Sequence, residues 1–142
     1  MRALLDVNVL IALLDRGHVH HGPARAWLAD HIGEGWASCP ITQNGCIRIM
    51  SQPAYPAPVA PAQVADRLRI ATGTAHHAFW PDDVDLVAFE GLRWTSILGP
   101  RQITDAYLLA LAVRNGGRFG TFDRAAPLGA GGGATASHLV GP

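Results

Sequence analysis

Residues 103–115 constrain the fold more than any other part of the chain. With Leu108, Leu109, Leu111, Ala112 and Val113, a helix there is apolar nearly all round, so it has to be buried in a core or at a subunit contact. It is entered after Pro100 and closed by Gly116-Gly117, where the pattern predicts a left-handed cap. It leads directly into an apolar strand over Arg118-Phe119-Gly120-Thr121-Phe122, which stops at Asp123. The start of the chain has related elements: Arg2-Ala3-Leu4-Leu5 reads as a short buried strand that stops at Asp6, and residues 9–14 as a buried helix. Between these ends, strands are expected at 36–39 and 77–80, with helices at 21–32, 41–50 and 62–71. Strands alternating with helices through short connections predict a parallel sheet covered on both faces, so the fold class is α/β. Four prolines at 53, 56, 58 and 61 mark a loop, the glycine-rich 129–133 reads as a flexible loop, and 85–94 is ambiguous between strand and helix.

The 142 residues are expected to form a single domain, 1–142, because 49% are hydrophobic and only 15% charged, enough to build one core. Eleven basic residues balance eleven acidic ones, so any polyanion has to find a local patch. All the basic residues are Arg, which excludes Schiff-base chemistry and a Lys phosphate clamp. Cys39 and Cys46 alone make neither a disulfide framework nor a zinc knuckle and are read as buried thiols. The apolar run 3–14 is broken by Asp6 and Asn8 and is too short to span a bilayer, which leads to an expectation of a cytoplasmic protein without a membrane partner.

In a parallel sheet, ligands bind beyond the carboxyl ends of the strands, where Asp6 and Asp123 are both expected. Asp105 is placed in the first turn of the apolar helix. If the three carboxylates converge, their repulsion calls for a cation, and hard divalent ions such as Mg²⁺ or Mn²⁺ choose oxygen ligands. Such an ion activates water and stabilises charge on phosphate oxygens, as in many nucleases. Simpler roles stand beside this one: Asp105 as a partner of the helix dipole, Asp123 as a turn residue. Asp6 is harder to explain away, since a carboxylate inside an apolar run is costly to bury without a partner.

Three segments, Leu4-Leu5-Asp6-Val7-Asn8-Val9-Leu10-Ile11, Thr104-Asp105-Ala106-Tyr107-Leu108-Leu109-Ala110-Leu111-Ala112 and Thr121-Phe122-Asp123-Arg124, resemble in order and separation the signature segments of VapC-type PIN-domain toxins. The similarity extends through residues 42–53 and Trp80-Pro81-Asp82-Asp83, covering most of the chain. The resemblance implies a PIN-like three-layer sandwich with a mostly parallel central sheet. It also implies a Mg²⁺- or Mn²⁺-dependent endoribonuclease, RNA as substrate, a cognate antitoxin and a homodimer. Asp6, Asp105 and Asp123 match the family's metal-site acids, and Asn8 and Thr121 match polar neighbours that orient them or a metal-bound water. One departure stands out: many members carry a Glu three residues before Arg48, where this chain has Gly45 preceded by Asn44. That puts a full two-metal site in doubt and leaves Asn44 to supply an amide oxygen or position a water.

Arg48 and Arg101 are candidate phosphate contacts, against a plain surface role. His18, His20 and His21 lack a second ligand group and read as helix-entry or solvent-facing residues rather than a zinc site. Trp27, Trp36, Trp80 and Trp94 read as packing residues rather than base-stacking platforms. The absence of Lys, and Asn8 where a second Asp would stand, argue against a phosphoacceptor receiver domain and an aspartyl-phosphate phosphatase. The other open readings are a degenerate, non-catalytic PIN-like module that binds RNA or protein, and a nuclease acting on DNA.

Overall fold

A computed structural model describes residues 1–123 and 138–142. The expected glycine-rich loop at 129–133 lies outside the described residues. The chain runs β1 (Ala3–Leu5), α1 (Val7–Leu14), α2 (His21–His31), β2 (Trp36–Ser38), α3 (Pro40–Met50), α4 (Pro61–Thr72), β3 (His77–Phe79), α5 (Arg101–Arg114), β4 (Arg118–Gly120) and β5 (Leu139–Val140). Single 3₁₀ turns follow α2 at Ile32–Glu34 and precede α5 at Trp94–Ser96. No helix among the described residues is long and apolar enough to cross a membrane.

The strands form one sheet in the order β3-β2-β1-β4-β5, and every pairing is parallel, with Leu4 opposite Ala37 on one side and Phe119 on the other. Alternation within these short strands divides the core in two. Leu4, Ala37 and Phe119 face α5, packing with Leu108, Leu111 and Ala112. Ala3, Leu5 and Trp36 face the opposite side, where Val9 and Leu10 of α1, Cys46 and Met50 of α3, and Val64 and Leu68 of α4 cover them. The result is the expected three-layer α/β sandwich, with the sheet wholly parallel.

This division locates the site. The chain steps from β1 outward to β2 and β3 and then returns to the far side of β1 as β4. Reversing direction moves the crossover to the other face of the sheet, because such connections are right-handed. The connections around β1 and β4 therefore leave in opposite directions, opening a crevice at their carboxyl ends.

The boundaries differ from expectation in ways that matter for the site. The first helix begins at Val7, two residues early, because the Asp6 side chain caps it. Helix α5 begins at Arg101, so Asp105 lies in its second turn and not its first. β4 stops at Gly120, leaving Thr121 to Asp123 as irregular chain, and β5 has no counterpart in the sequence reading. Residues 85–94, left unassigned, contain no strand or α-helix. Trp36 and Trp80 are buried and Trp27 packs on the core, whereas Trp94 is 45% exposed and outside the core.

The α5 cap is formed as expected. Gly116 has φ +68°, its N–H donates to Val113 O at 3.0 Å, and Gly117 N–H donates to Ala112 O at 2.8 Å, the paired bonds of a Schellman motif. No atom lies within 4 Å of a Cβ built at Gly116, so a side chain there carries only the left-handed backbone cost. Gly116→Ala is expected to lower the unfolding free energy by about 1–2 kcal/mol in denaturant titrations. An unchanged midpoint excludes this cap in solution.

Candidate active site

Asp6 stands between β1 and α1 with 7% of its surface exposed. Its Oδ1 accepts the Val7 N–H at 2.8 Å, and its Oδ2 accepts the Thr121 hydroxyl at 2.7 Å. Its own N–H donates to Gly120 O at 2.8 Å, tying the end of β1 to the end of β4. Thr121, 2% exposed, also accepts the Asp123 N–H on Oγ1 at 3.0 Å. One hydroxyl thus joins the residues that follow two adjacent strands. Burial pushes the Asp6 carboxyl up, the two hydrogen bonds pull it down, and the charge of Asp123 pushes it up again.

Asp105 approaches from the helix on the other face of the sheet. Burial first, then the charges of Asp6 and Asp123 and a hydrogen bond to Asp123, together raise its carboxyl to about 7. Since Asp105 lies in the second turn of α5, it is not a first-turn partner of the helix dipole, which fades within one turn. Its charge is disfavoured where it stands. Among the described residues no three His, Cys, Asp or Glu side chains already form a ligand cage; Asp105 and Asp123 instead share a hydrogen bond.

The donors fit a hard divalent ion. Three carboxylates gathered at one crevice offer oxygen alone, and a cation offsets the burial and the neighbouring charges that raise Asp105. Asn8, in the first turn of α1, has its Oδ1 buried without a hydrogen-bond partner, in a cleft of about 390 Å³ shared with Asp6, His18 and Tyr55. An orphaned amide oxygen beside these acids is a further hard donor, or a seat for a water.

A second cleft of about 450 Å³ opens on the other side of Asp6, against α3, and is lined by Asn44, Arg48, Asp82 and Thr104 among others. Asn44 and Arg48 are exposed one helical turn apart, and Arg48 forms no ion pair among the described residues. Arg101, exposed at the first residue of α5, lines neither cleft. Gly45, between Asn44 and Cys46, is buried against α1: a Cβ there would lie 2.7 Å from Val7 Cγ2. The position where the resemblance leads one to expect an acid is therefore closed by Val7.

The remaining candidates are accounted for locally. His18 Nδ1 accepts the His20 N–H, His21 Nδ1 pairs with Ala12 O at 2.7 Å, and His20 lies against Phe122, all at the entry of α2. Cys39 and Cys46 are free and buried, with thiols pushed up to about 11 and about 12, so neither is a nucleophile. Asp82 was not among the residues expected at the site. It follows β3 as Asp6 follows β1, an acid beyond a strand end, and that repeated pattern was available in the sequence.

Residues 3–128 match the PIN domain family. The chain belongs to the VapC group of PIN-domain proteins. It is 54% identical over 140 residues to Ribonuclease VapC44 of Mycobacterium tuberculosis (strain ATCC 25618 / H37Rv), covering 99% of both chains. It is 44% identical over 126 residues to Ribonuclease VapC39 of the same strain, covering 88% of this chain and 91% of the relative. Ribonuclease VapC38 is 41% identical over 122 residues, covering 85% and 84%. The parallel α/β sheet is consistent with this family.

Proposed function

We propose that this VapC-group protein is an endoribonuclease toxin whose activity depends on a divalent ion held by Asp6, Asp105 and Asp123, with Mg²⁺ as the resident ion and Mn²⁺ as a substitute. The observation that carries this reading is the meeting of the three carboxylates at one crevice, where burial and the charges of Asp6 and Asp123 raise Asp105 to about 7. A bound ion of this kind supplies a nucleophilic water at neutral pH and stabilises charge on the phosphate oxygens under attack.

The chain's own residues do the positioning. Thr121 fixes Asp6 through its hydroxyl and Asp123 through the backbone, so both acids are oriented before a cation arrives. Asn8 offers its unpaired oxygen to a water or the ion. On the α3 side, Arg48 supplies a guanidinium fork to a phosphate, and Asn44 a neutral donor and acceptor. Arg101 is left as a peripheral contact to the RNA backbone. The substrate is RNA, the cognate antitoxin inhibits by covering this cleft with a basic side chain among the acids, and the protein acts as a cytoplasmic homodimer.

The test is cleavage-site mapping on total RNA, comparing the wild type with Asp6→Ala, with Mg²⁺ or Mn²⁺ and then with EDTA. The wild type is expected to leave discrete sites with 5′-phosphate and 3′-hydroxyl ends, while Asp6→Ala and the EDTA sample leave RNA intact. Intact RNA in every sample points instead to the non-catalytic PIN-like module. Equal cleavage of DNA overturns the choice of substrate.

A further inference from the structure

The α3 side of the cleft needs an acid and lacks one at its expected place. Gly45 cannot carry a side chain without displacing the stiff, β-branched Val7. Asp82 reaches the same cleft from another element, the segment leaving β3 at the carboxyl edge of the sheet. Trp80, buried beneath it, donates its N–H to Ser38 O at 2.9 Å and anchors this segment beside β2.

Only half of the Asp82 carboxylate is used by the fold. Its Oδ2 accepts the Ile41 N–H at 3.2 Å, serving the first turn of α3. Its Oδ1 is buried and has no hydrogen-bond partner. The Cys39 thiol hydrogen-bonds to this carboxylate, but a thiol is a weak donor. The neighbouring Asp83 pairs with Arg114 at 3.1 Å, while Asp82 belongs to no ion pair among the described residues. A buried carboxylate oxygen without a strong donor is costly, and Asp82 is also a lining residue of the cleft, so its carboxylate is suited to take an ordered water there.

We propose that Asp82 is the fourth acid of this ribonuclease centre, a positioning residue that acts through water on the cation and replaces the carboxylate that position 45 cannot carry. This rests on the reading of Asp6, Asp105 and Asp123 as the cation's ligands. Asp82 adds negative charge on the side of the cleft that otherwise presents only Asn44, Arg48 and the amino end of α3.

Substitution can separate the two halves of this carboxylate. Asn and Ser both retain an oxygen that can accept the Ile41 N–H, and both are good helix-capping residues, so Asp82→Asn and Asp82→Ser remove the charge and keep the cap. Mn²⁺ is titrated calorimetrically into the wild type, the two Asp82 variants and Asp105→Asn, with thermal melts in EDTA as the control for folding. Both Asp82 variants are expected to melt close to the wild type and to bind Mn²⁺ about ten-fold more weakly. Their slowed RNA cleavage is expected to recover as Mn²⁺ is raised, which a purely structural defect does not give. A wild-type Mn²⁺ constant in both Asp82 variants, with binding lost in Asp105→Asn, reduces Asp82 to a helix cap and overturns the proposal alone. A wild-type constant in Asp105→Asn as well overturns the three-aspartate reading beneath it.

Discussion

Asp105→Asn is expected to bind Mn²⁺ at least about 100-fold more weakly than the wild type and to leave RNA uncut, yet to be the more stable protein at pH 8 without metal. The opposite signs have one cause. In the metal-free fold Asp105 is raised to about 7 by burial, by the charges of Asp6 and Asp123, and by its hydrogen bond to Asp123. The native state therefore holds a proton that the unfolded chain releases near the ordinary carboxylate value. The stability this proton confers is fully present below about pH 4 and is lost as pH rises through about 7. An Asn amide resembles the protonated acid, can donate to Asp123 and never ionises, so the metal-free variant should lack most of this slope.

With metal the order reverses, because binding must displace that proton. Affinity should climb steeply from pH 6 to 8 in the wild type and stay flat in the variant. At a hundred times its dissociation constant, the ion stabilises the wild type by about 2.7 kcal/mol, roughly 8–12 °C in a protein of this size. Melting curves at pH 5, 7 and 8, with EDTA and with Mn²⁺, read all of these effects together. The account fails if the metal-free wild type is as stable at pH 8 as at pH 5, or if Asp105→Asn is the less stable protein at pH 8 without metal.

The second large effect is at Gly45. Gly45→Ala places a methyl 2.7 Å from Val7 Cγ2 and forces α3 away from α1. Overpacking of this kind costs about 1–3 kcal/mol, and the better helix propensity of Ala returns at most about 1 kcal/mol. Gly45→Glu, which installs the acid that the resemblance leads one to expect, has to bury or expel a charged side chain at the same contact and is expected to be worse. Pairing either change with Val7→Ala should recover much of the loss, giving a favourable coupling in a double-mutant cycle. Guanidinium titrations of the four proteins measure it. A Gly45→Ala variant more stable than the wild type contradicts the close contact. Because α3 carries Asn44 and Arg48 to the cleft, the same displacement should also slow cleavage.

These two positions show what the sequence could and could not reveal. Asp6 was legible because a carboxylate within an apolar run has to be satisfied, and the fold meets that need with Thr121 and the Val7 N–H. The layers were legible because α5 is apolar nearly all round and the strands are short and buried. The start of α5 was not. Arg101 and Gln102 add nothing to the apolar pattern, and Gln102 Oε1 accepts the Leu98 N–H at 2.8 Å, a bond between residues four apart that no periodicity reports. The early end of β4 was also hidden, because Thr121 and Phe122 have strand-forming side chains while Thr121 Oγ1 is diverted to the aspartates. Gly45 was read as a missing acid; only the packing of α1 on α3 reveals it as a place with no room. Asp82 carried the legible signal of an acid beyond a strand end, but its contact with the Ile41 N–H, remote in sequence, did not show there.

β5 gives Thr121 a further role. Its Val140 O accepts the Thr121 N–H at 3.0 Å, and Gly141 lies so close to Thr121 that a Cβ there would collide with its backbone. The residue that couples Asp6 to Asp123 is thus clamped by chain that is synthesised after it. The geometry of the acidic centre therefore depends on an edge strand that supplies none of the acids, and loosening β5 from β4 would free the hydroxyl that holds Asp6 and Asp123 in register.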